Sequence, residues 1–290
     1  MEHSRTLTTS EGRNWNVANG TTDLNTSYQD AQFKSVHNLH ERRESLEEVL
    51  TDYHIRSLEY DIGPDLMIRG KQHPLASKLR IIKEFIERES GQNQVVTLFI
   101  DLHGQWAQDD VTTLDHTFQQ TLGTSIFRRS QLLENQPSGE HQCLGNRLPW
   151  PSLKTLRGRV IIFLTGHSKD NQPIPQIEQL DLEDPTFFVG HKSLQDHTVL
   201  LNLNSARLEG APNPCLITRS YKGTQWFSGA KGGFVGAKSA GFNHIATDKV
   251  HCKHNDWSFI ERDPQWAPWG DHQECSSAKY FNTREDFLGN

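Results

Sequence analysis

The residues of this chain best suited to chemistry stand at or near the ends of apolar runs. FKSVHN closes on His37 and Asn38, SLEYDI carries Glu59 and Asp61, and VVTLFIDL runs up to Asp101, while the intervening loop IRGKQHPLAS brings His73. An imidazole, with an ordinary pKa near 6.5, can give or take a proton at neutral pH. Asn38, Glu59, Asp61 and Asp101 form an all-oxygen donor set, which is what a hard cation such as Ca²⁺ selects, in preference to Mg²⁺. Three carboxylates drawn together repel one another, so a cation among them relieves a real electrostatic cost. The chemistry implied is metal-assisted general acid–base catalysis. Taken singly, each residue has an ordinary structural reading. Glu59 and Asp61 can pair with Arg56, Arg69 or other basic residues, Asp101 can cap a turn, and one histidine among 15 can be core or surface.

Elements that could bring these residues together are legible in the pattern. Eight short apolar runs recur, over residues 33–37, 55–62, 95–102, 160–166, 186–190, 198–203, 215–221 and 244–248. Their β-branched and aromatic content fits strands buried on both faces, as in a parallel sheet. Between the first four lie helical patterns. Ser45 to Tyr53 opens with a capping-box pairing of Ser45 and Glu48, while 79–89 and 113–122 repeat apolar residues at helical spacing. Strand and helix in alternation predict an α/β fold, an irregular TIM (β/α)8 barrel over residues 32–250, with chemistry at the C-terminal strand edges. A polar N-terminal extension, residues 1–31, precedes it. An aromatic-rich tail, residues 251–290, with DWSF and WAPWG, is read as a lid packing on the barrel, with insertion at a lipid interface as the alternative.

Composition bounds the partners. The chain has 290 residues, 23% of them charged, and a net charge of -6, with a mean hydropathy of -0.68. No basic stripe suited to nucleic acid is present, and no apolar run approaches the ~18–20 residues of a membrane span. The first residues lack the charged start and apolar middle of a secretory signal, so compartment stays open. Sequons at Asn19 and Asn25 matter only in a secreted chain. Cys143, Cys215, Cys252 and Cys275 lack the CxxC spacing of a zinc site. Cys252 and Cys275 could bond, or all four could be free thiols.

The order of the polar residues carries more meaning than any one of them. His-Asn, then Glu-x-Asp, then a second His, then an acid closing the next strand, resembles the catalytic half of the phosphoinositide-specific phospholipase C family. WPSLKTLRGRVIIFLTG (150–166), LITRSYKGT (216–224) and AGFNHIATD (240–248) resemble its later segments, and the similarity spans roughly residues 33–250. The lack of modular extensions points to the small Ca²⁺-dependent bacterial-type branch.

What the resemblance implies is a phosphodiesterase that cleaves phosphatidylinositol-type lipids to diacylglycerol and inositol phosphate through a cyclic phosphate. Asn38, Glu59, Asp61 and Asp101 would hold Ca²⁺, with Asp101 standing where the family commonly has a longer Glu. His37 would donate to the phosphate, His73 would protonate the leaving alkoxide, with His103 and His40 as alternatives for that role, and Glu59 or Asp101 would take the hydroxyl proton. Arg219 would contact a phosphate or hydroxyl and Tyr221 the sugar ring. Lys169 and Lys222 would supply some positive charge, though the family's dedicated lysine pair is not evident, which favours phosphatidylinositol or a lightly phosphorylated form. A monomer that touches membrane surfaces transiently is expected. A glycerophosphodiester phosphodiesterase is the nearest rival, although that family begins His-Arg-Gly where this chain has His-Asn. The rival from another class is a barrel that binds Ca²⁺ or a lipid headgroup without turning it over.

Overall fold

The computed structural model describes residues 5–8, 14–18, 21–22, 25–31, 33–51, 55–70, 73–88, 94–134, 149–166, 184–191, 199–203, 215–220 and 242–247. Near the N-terminus, β1 (Arg5–Thr8), β2 (Asn14–Ala18) and β3 (Thr21–Thr22) form a separate antiparallel sheet. These strands lie within the polar N-terminal extension, residues 1–31. The main sheet contains β4 (Phe33–Val36), β5 (Ser57–Ile62), β8 (Val95–Leu102), β9 (Arg159–Gly166), β10 (Phe188–His191), β11 (Leu200–Leu203), β12 (Ile217–Ser220) and β13 (His244–Thr247). All eight expected runs therefore contain a strand.

These strands pair in parallel in the order β4, β13, β12, β11, β10, β9, β8, β5, and β4 also pairs with β5 through Ser35 and Ser57. The result is a curled parallel sheet in an α/β fold. Helices α1 (Leu46–Thr51), α2 (Leu75–Glu87) and α3 (Gln108–Leu122) follow the first three of these strands in chain order, and a short α4 (Arg129–Glu134) precedes β9. The capping box at α1 forms as expected, Ser45 N donating to Glu48 Oε2 at 2.8 Å and Glu48 N to Ser45 Oγ at 3.2 Å. The small antiparallel strands β6 (Met67–Ile68) and β7 (His73–Pro74), absent from the sequence reading, make an edge hairpin beside β5. Among the described residues no helix is long and apolar enough to cross a membrane.

Alternation along each strand divides the core into two layers. Leu58, Tyr60, Ile62, Val96, Leu98, Ile100, Val160, Ile162 and Leu164 face outward. There they bury against Leu79, Ile82 and Phe85 of α2 and Leu114 and Phe118 of α3. The intervening residues face inward, where Phe33, Phe99, Ile161, Phe163, Phe188 and Ile217 fill the interior. Each fully buried side chain of this size contributes ~1.5–3 kcal/mol, so both faces of the sheet are held.

The N-terminal end of the interior is closed by residues that precede the expected barrel start at 32. Tyr28 and Ala31 belong to the inner core, and Tyr28 N donates to Pro151 O at 3.0 Å. The fully buried Tyr28 hydroxyl reaches Thr97 Oγ1 at 2.7 Å and His244 Nε2 at 3.0 Å. His244 Nδ1 meets Ser57 Oγ at 3.1 Å, and Ser57 Oγ donates to Ser35 Oγ at 2.9 Å. Two segments far apart in sequence are thus tied to the middle of the sheet. Cys215, just before β12, is disulfide-bonded, which removes the four-free-thiol alternative. Cys143, Cys252 and Cys275 lie outside the described residues, as does the tail over residues 251–290.

Burial, with the nearby Arg219 charge second, pushes the His244 pKa well below 6.5. The unfolded chain takes up a proton near pH 6.5 while the folded chain keeps this ring neutral. Stability is therefore complete above about pH 6.5 and lost as pH falls below it. Urea midpoints measured at about pH 7.5 and about pH 5 should separate more for the wild type than for His244→Gln. Equal separation in the two proteins refutes the assignment.

Candidate active site

The inward-facing residues change character toward the C-terminal strand ends. On β5 the inward positions run Ser57, Glu59, Asp61, and on β8 they run Thr97, Phe99, Asp101. Asp61 pairs in register with Asp101, and Asp101 with Thr165. Adjacent strands in parallel register place partners on the same face, so the two acids are neighbours in one layer. Thr165 Oγ1 donates to Asp101 Oδ1 at 3.1 Å. The next residue, Gly166, has φ +137°, and a Cβ there would lie 2.7 Å from Leu102 O, so only glycine lets β9 close against the end of β8.

Directly after β4, His37 is buried and Asn38 adopts a left-handed conformation with φ 48° and ψ 59°. Asparagine tolerates this region better than most residues. The turn directs the Asn38 N–H to Glu59 Oε2 at 3.1 Å, and His37 Nε2 lies 3.9 Å from the same oxygen. Arg219 reaches that oxygen as well, Nη2 standing 2.8 Å away, with its guanidinium 4.1 Å above the Phe99 ring. Arg219 is fully buried. The guanidinium thus meets Glu59 from inside the curled sheet. Of the ordinary readings of Glu59, pairing with another basic residue is met by Arg219, whereas pairing with Arg56 is not. Arg56 turns to Gln94 and the Leu50 carbonyl, over the Phe85 ring.

His103 was weighed in the sequence only as an alternative acid, yet it is central to the geometry. Its Nε2 lies 3.3 Å from Oδ2 of both Asp61 and Asp101, shared between them and well aligned with neither. Hydrogen bonding to Asp101 first, and then Asp61, pulls the ring pKa up to about 9. On the other side Arg69 Nη1 stands 3.0 Å from Nδ1. Arginine only donates, so this contact requires an unprotonated Nδ1 and places the ring proton on Nε2 between the acids. Full protonation and the Arg69 contact are therefore alternatives. The signal that could have found His103 is its spacing, two residues beyond Asp101 at the same strand end.

His40 is buried, with Nε2 4.0 Å from Asp61 Oδ2 and 3.9 Å from Glu41 Oε1. Burial, opposed by Asp61, holds its pKa below the usual value. His73 is not drawn into the acid cluster. It is exposed on the edge hairpin and opens on a pocket beside His40 and Tyr60. Lys169, Tyr221 and Lys222 lie outside the described residues.

The donors suit a hard cation on one further observation. Asp61 Oδ1 is buried with no hydrogen-bond partner among the described residues, and a second carboxylate stands beside it. Asp61, Asp101 and His103 have ligand atoms within 4.8 Å of one another. A buried carboxylate oxygen without a donor is costly unless a cation meets it.

No protein-family model and no curated protein matches the sequence. Solved structures do. The apo calcium-dependent phosphoinositol-specific phospholipase C of a Pseudomonas species superposes with a TM-score of 0.60 at 15% identity, covering 80% of this chain and 94% of that one. The Ca²⁺-dependent phosphatidylinositol-specific phospholipase C of Streptomyces antibioticus gives 0.52 at 13% identity, covering 80% and 98%.

Removing the Arg219 charge leaves Glu59 buried and unpaired. Arg219→Met, compared with wild type by urea unfolding in the presence of chelator, should lose about 3–5 kcal/mol. Wild-type stability in this variant would show that Glu59 does not depend on it. The chain shares the fold of the calcium-dependent bacterial phosphoinositide-specific phospholipases C.

Proposed function

We propose that the chain is a Ca²⁺-dependent phosphodiesterase acting on phosphatidylinositol-type lipids, built on an irregular (β/α)8 barrel. It would release a diacylglycerol-like alcohol and an inositol phosphate by way of a cyclic phosphate. The observation that carries this reading is the Asp61 and Asp101 pair, set next to the His37, Glu59 and Arg219 group at one end of a sheet of phospholipase C fold. The Pseudomonas enzyme, also solved as a myoinositol complex, makes an inositol ring the natural headgroup to test.

Asn38, Glu59, Asp61 and Asp101 would hold the ion. Ca²⁺ there supplies Lewis acidity toward a ring hydroxyl and compensates phosphate charge. His37, held against Glu59, donates to a phosphate oxygen where charge develops. Arg219 keeps Glu59 oriented. Glu59 or Asp101 takes the proton of the attacking hydroxyl, and an imidazole returns one to the departing alkoxide. That imidazole is His73 if the hairpin swings its ring toward the acids, or His103 where it already stands. The lipid tails imply transient contact with a membrane surface.

Release of inositol phosphate from phosphatidylinositol vesicles should require Ca²⁺ and stop with chelator. Bound Ca²⁺ without turnover would favour a binding module, and hydrolysis of glycerophosphocholine alone would favour a glycerophosphodiester phosphodiesterase. His37→Ala should lower turnover by about 10² or more.

The proton donor is separable by leaving group. Whichever of His73→Ala and His103→Ala removes the donor should lose about 10² on the lipid, yet recover on an ester whose leaving group needs no proton. Near-wild-type turnover in both variants rejects both assignments.

A further inference from the structure

Outside the acid cluster, one pocket combines positive charge with unmet hydrogen-bonding capacity. It lies between the Leu39–Glu41 turn, the outer face of β5, the edge hairpin and the first turn of α2, and it is lined by His40, Arg42, Glu44, Tyr60, His73 and Lys78 among others. Tyr60 faces away from Glu59 and Asp61, because side chains alternate along β5. The pocket is thus distinct from the cluster, with His40 standing between them.

Two of its residues carry buried polar atoms that nothing satisfies. Tyr60 is 1% exposed and His40 9%, and neither the Tyr60 hydroxyl nor His40 Nδ1 has a hydrogen-bond partner among the described residues. A buried donor left without an acceptor is costly. The acids near His40 Nε2, at 3.9 and 4.0 Å, are too far to fix its tautomer, so Nδ1 can carry the proton. Arg42 Nε donates to His37 O at 3.2 Å and its Nη2 lies 3.8 Å from the exposed Glu41 Oε2, contacts that hold the guanidinium at the pocket rim. Lys78 has no carboxylate within ion-pair distance among the described residues, and Glu44 is the one acidic residue of the lining.

We propose that this pocket binds a phosphate-type anion, held by Lys78 and Arg42 and by hydrogen bonds from Tyr60 and His40. Two sources share that chemistry: a phosphomonoester on the substrate headgroup, and free inorganic phosphate. The first deepens the phosphodiesterase reading and rests on it; anion binding itself does not.

Calorimetric titration of inorganic phosphate into the chelator-treated full chain tests binding without any turnover. Wild type should bind at millimolar concentration or below. Lys78→Ala and Tyr60→Phe should each bind about tenfold more weakly, with circular dichroism and melting temperature showing that both fold. Equal binding by wild type and both variants, or no binding at about 10 mM, overturns the proposal. A second arm compares inositol phosphodiesters with and without a ring phosphomonoester. A headgroup source makes Lys78→Ala raise KM for the phosphorylated substrate alone. A free-phosphate source makes Lys78→Ala weaken the response of both substrates to added phosphate alike. A chain without phosphodiesterase activity leaves the titration to decide.

Discussion

Glu59 is a carboxylate set inside a sheet whose interior is packed with aromatic and aliphatic side chains, and it is tolerated there because Arg219 crosses the interior to meet it. The guanidinium is itself steadied by the face of Phe99. The same carboxylate oxygen accepts from the Asn38 amide and stands near His37, so one ion pair organises the residues that end β4 and β5. Without it the interior would carry an uncompensated charge, which costs far more than the pair gains. Below this pair the core is apolar and aromatic; above it the strand ends turn acidic.

Much of this was legible in the residues. The eight runs became strands because their apolar stretches must be buried on both sides, and two-sided burial leaves little choice but a parallel sheet under helices. His37 and the Asn38 amide stand near Glu59, and Asp61 beside Asp101, because alternation and parallel register place them at one end of the sheet. What was not legible depended on tertiary approach. Arg219 lies beneath Glu59, a relation between strands that are not adjacent. Tyr28 sits in a segment whose local polarity reads as an extension, yet its ring and hydroxyl are completed by partners more than sixty residues away. His73 shares a loop with the right spacing, but its short pairing with β6 fixes it on the hairpin, and His103 fills the gap between the acids.

The two faces of β5 give the strand two chemistries. Its inward side presents acids, and its outward side presents Tyr60 toward a basic pocket, with the Leu39–Glu41 turn spanning the rim between them. A single strand end thereby separates an acidic face from a basic one across the thickness of one backbone.

The register of β5 on β8 has a further meaning. Asp61 and Asp101 are register partners on neighbouring parallel strands, so their main chains are held one inter-strand spacing apart, about 4.8 Å. That gap belongs to the backbone and cannot be adjusted by side-chain substitution nearby. The reach of the two carboxylates across that gap changes only in whole methylene steps, aspartate to glutamate, on a ruler marked by the sheet itself.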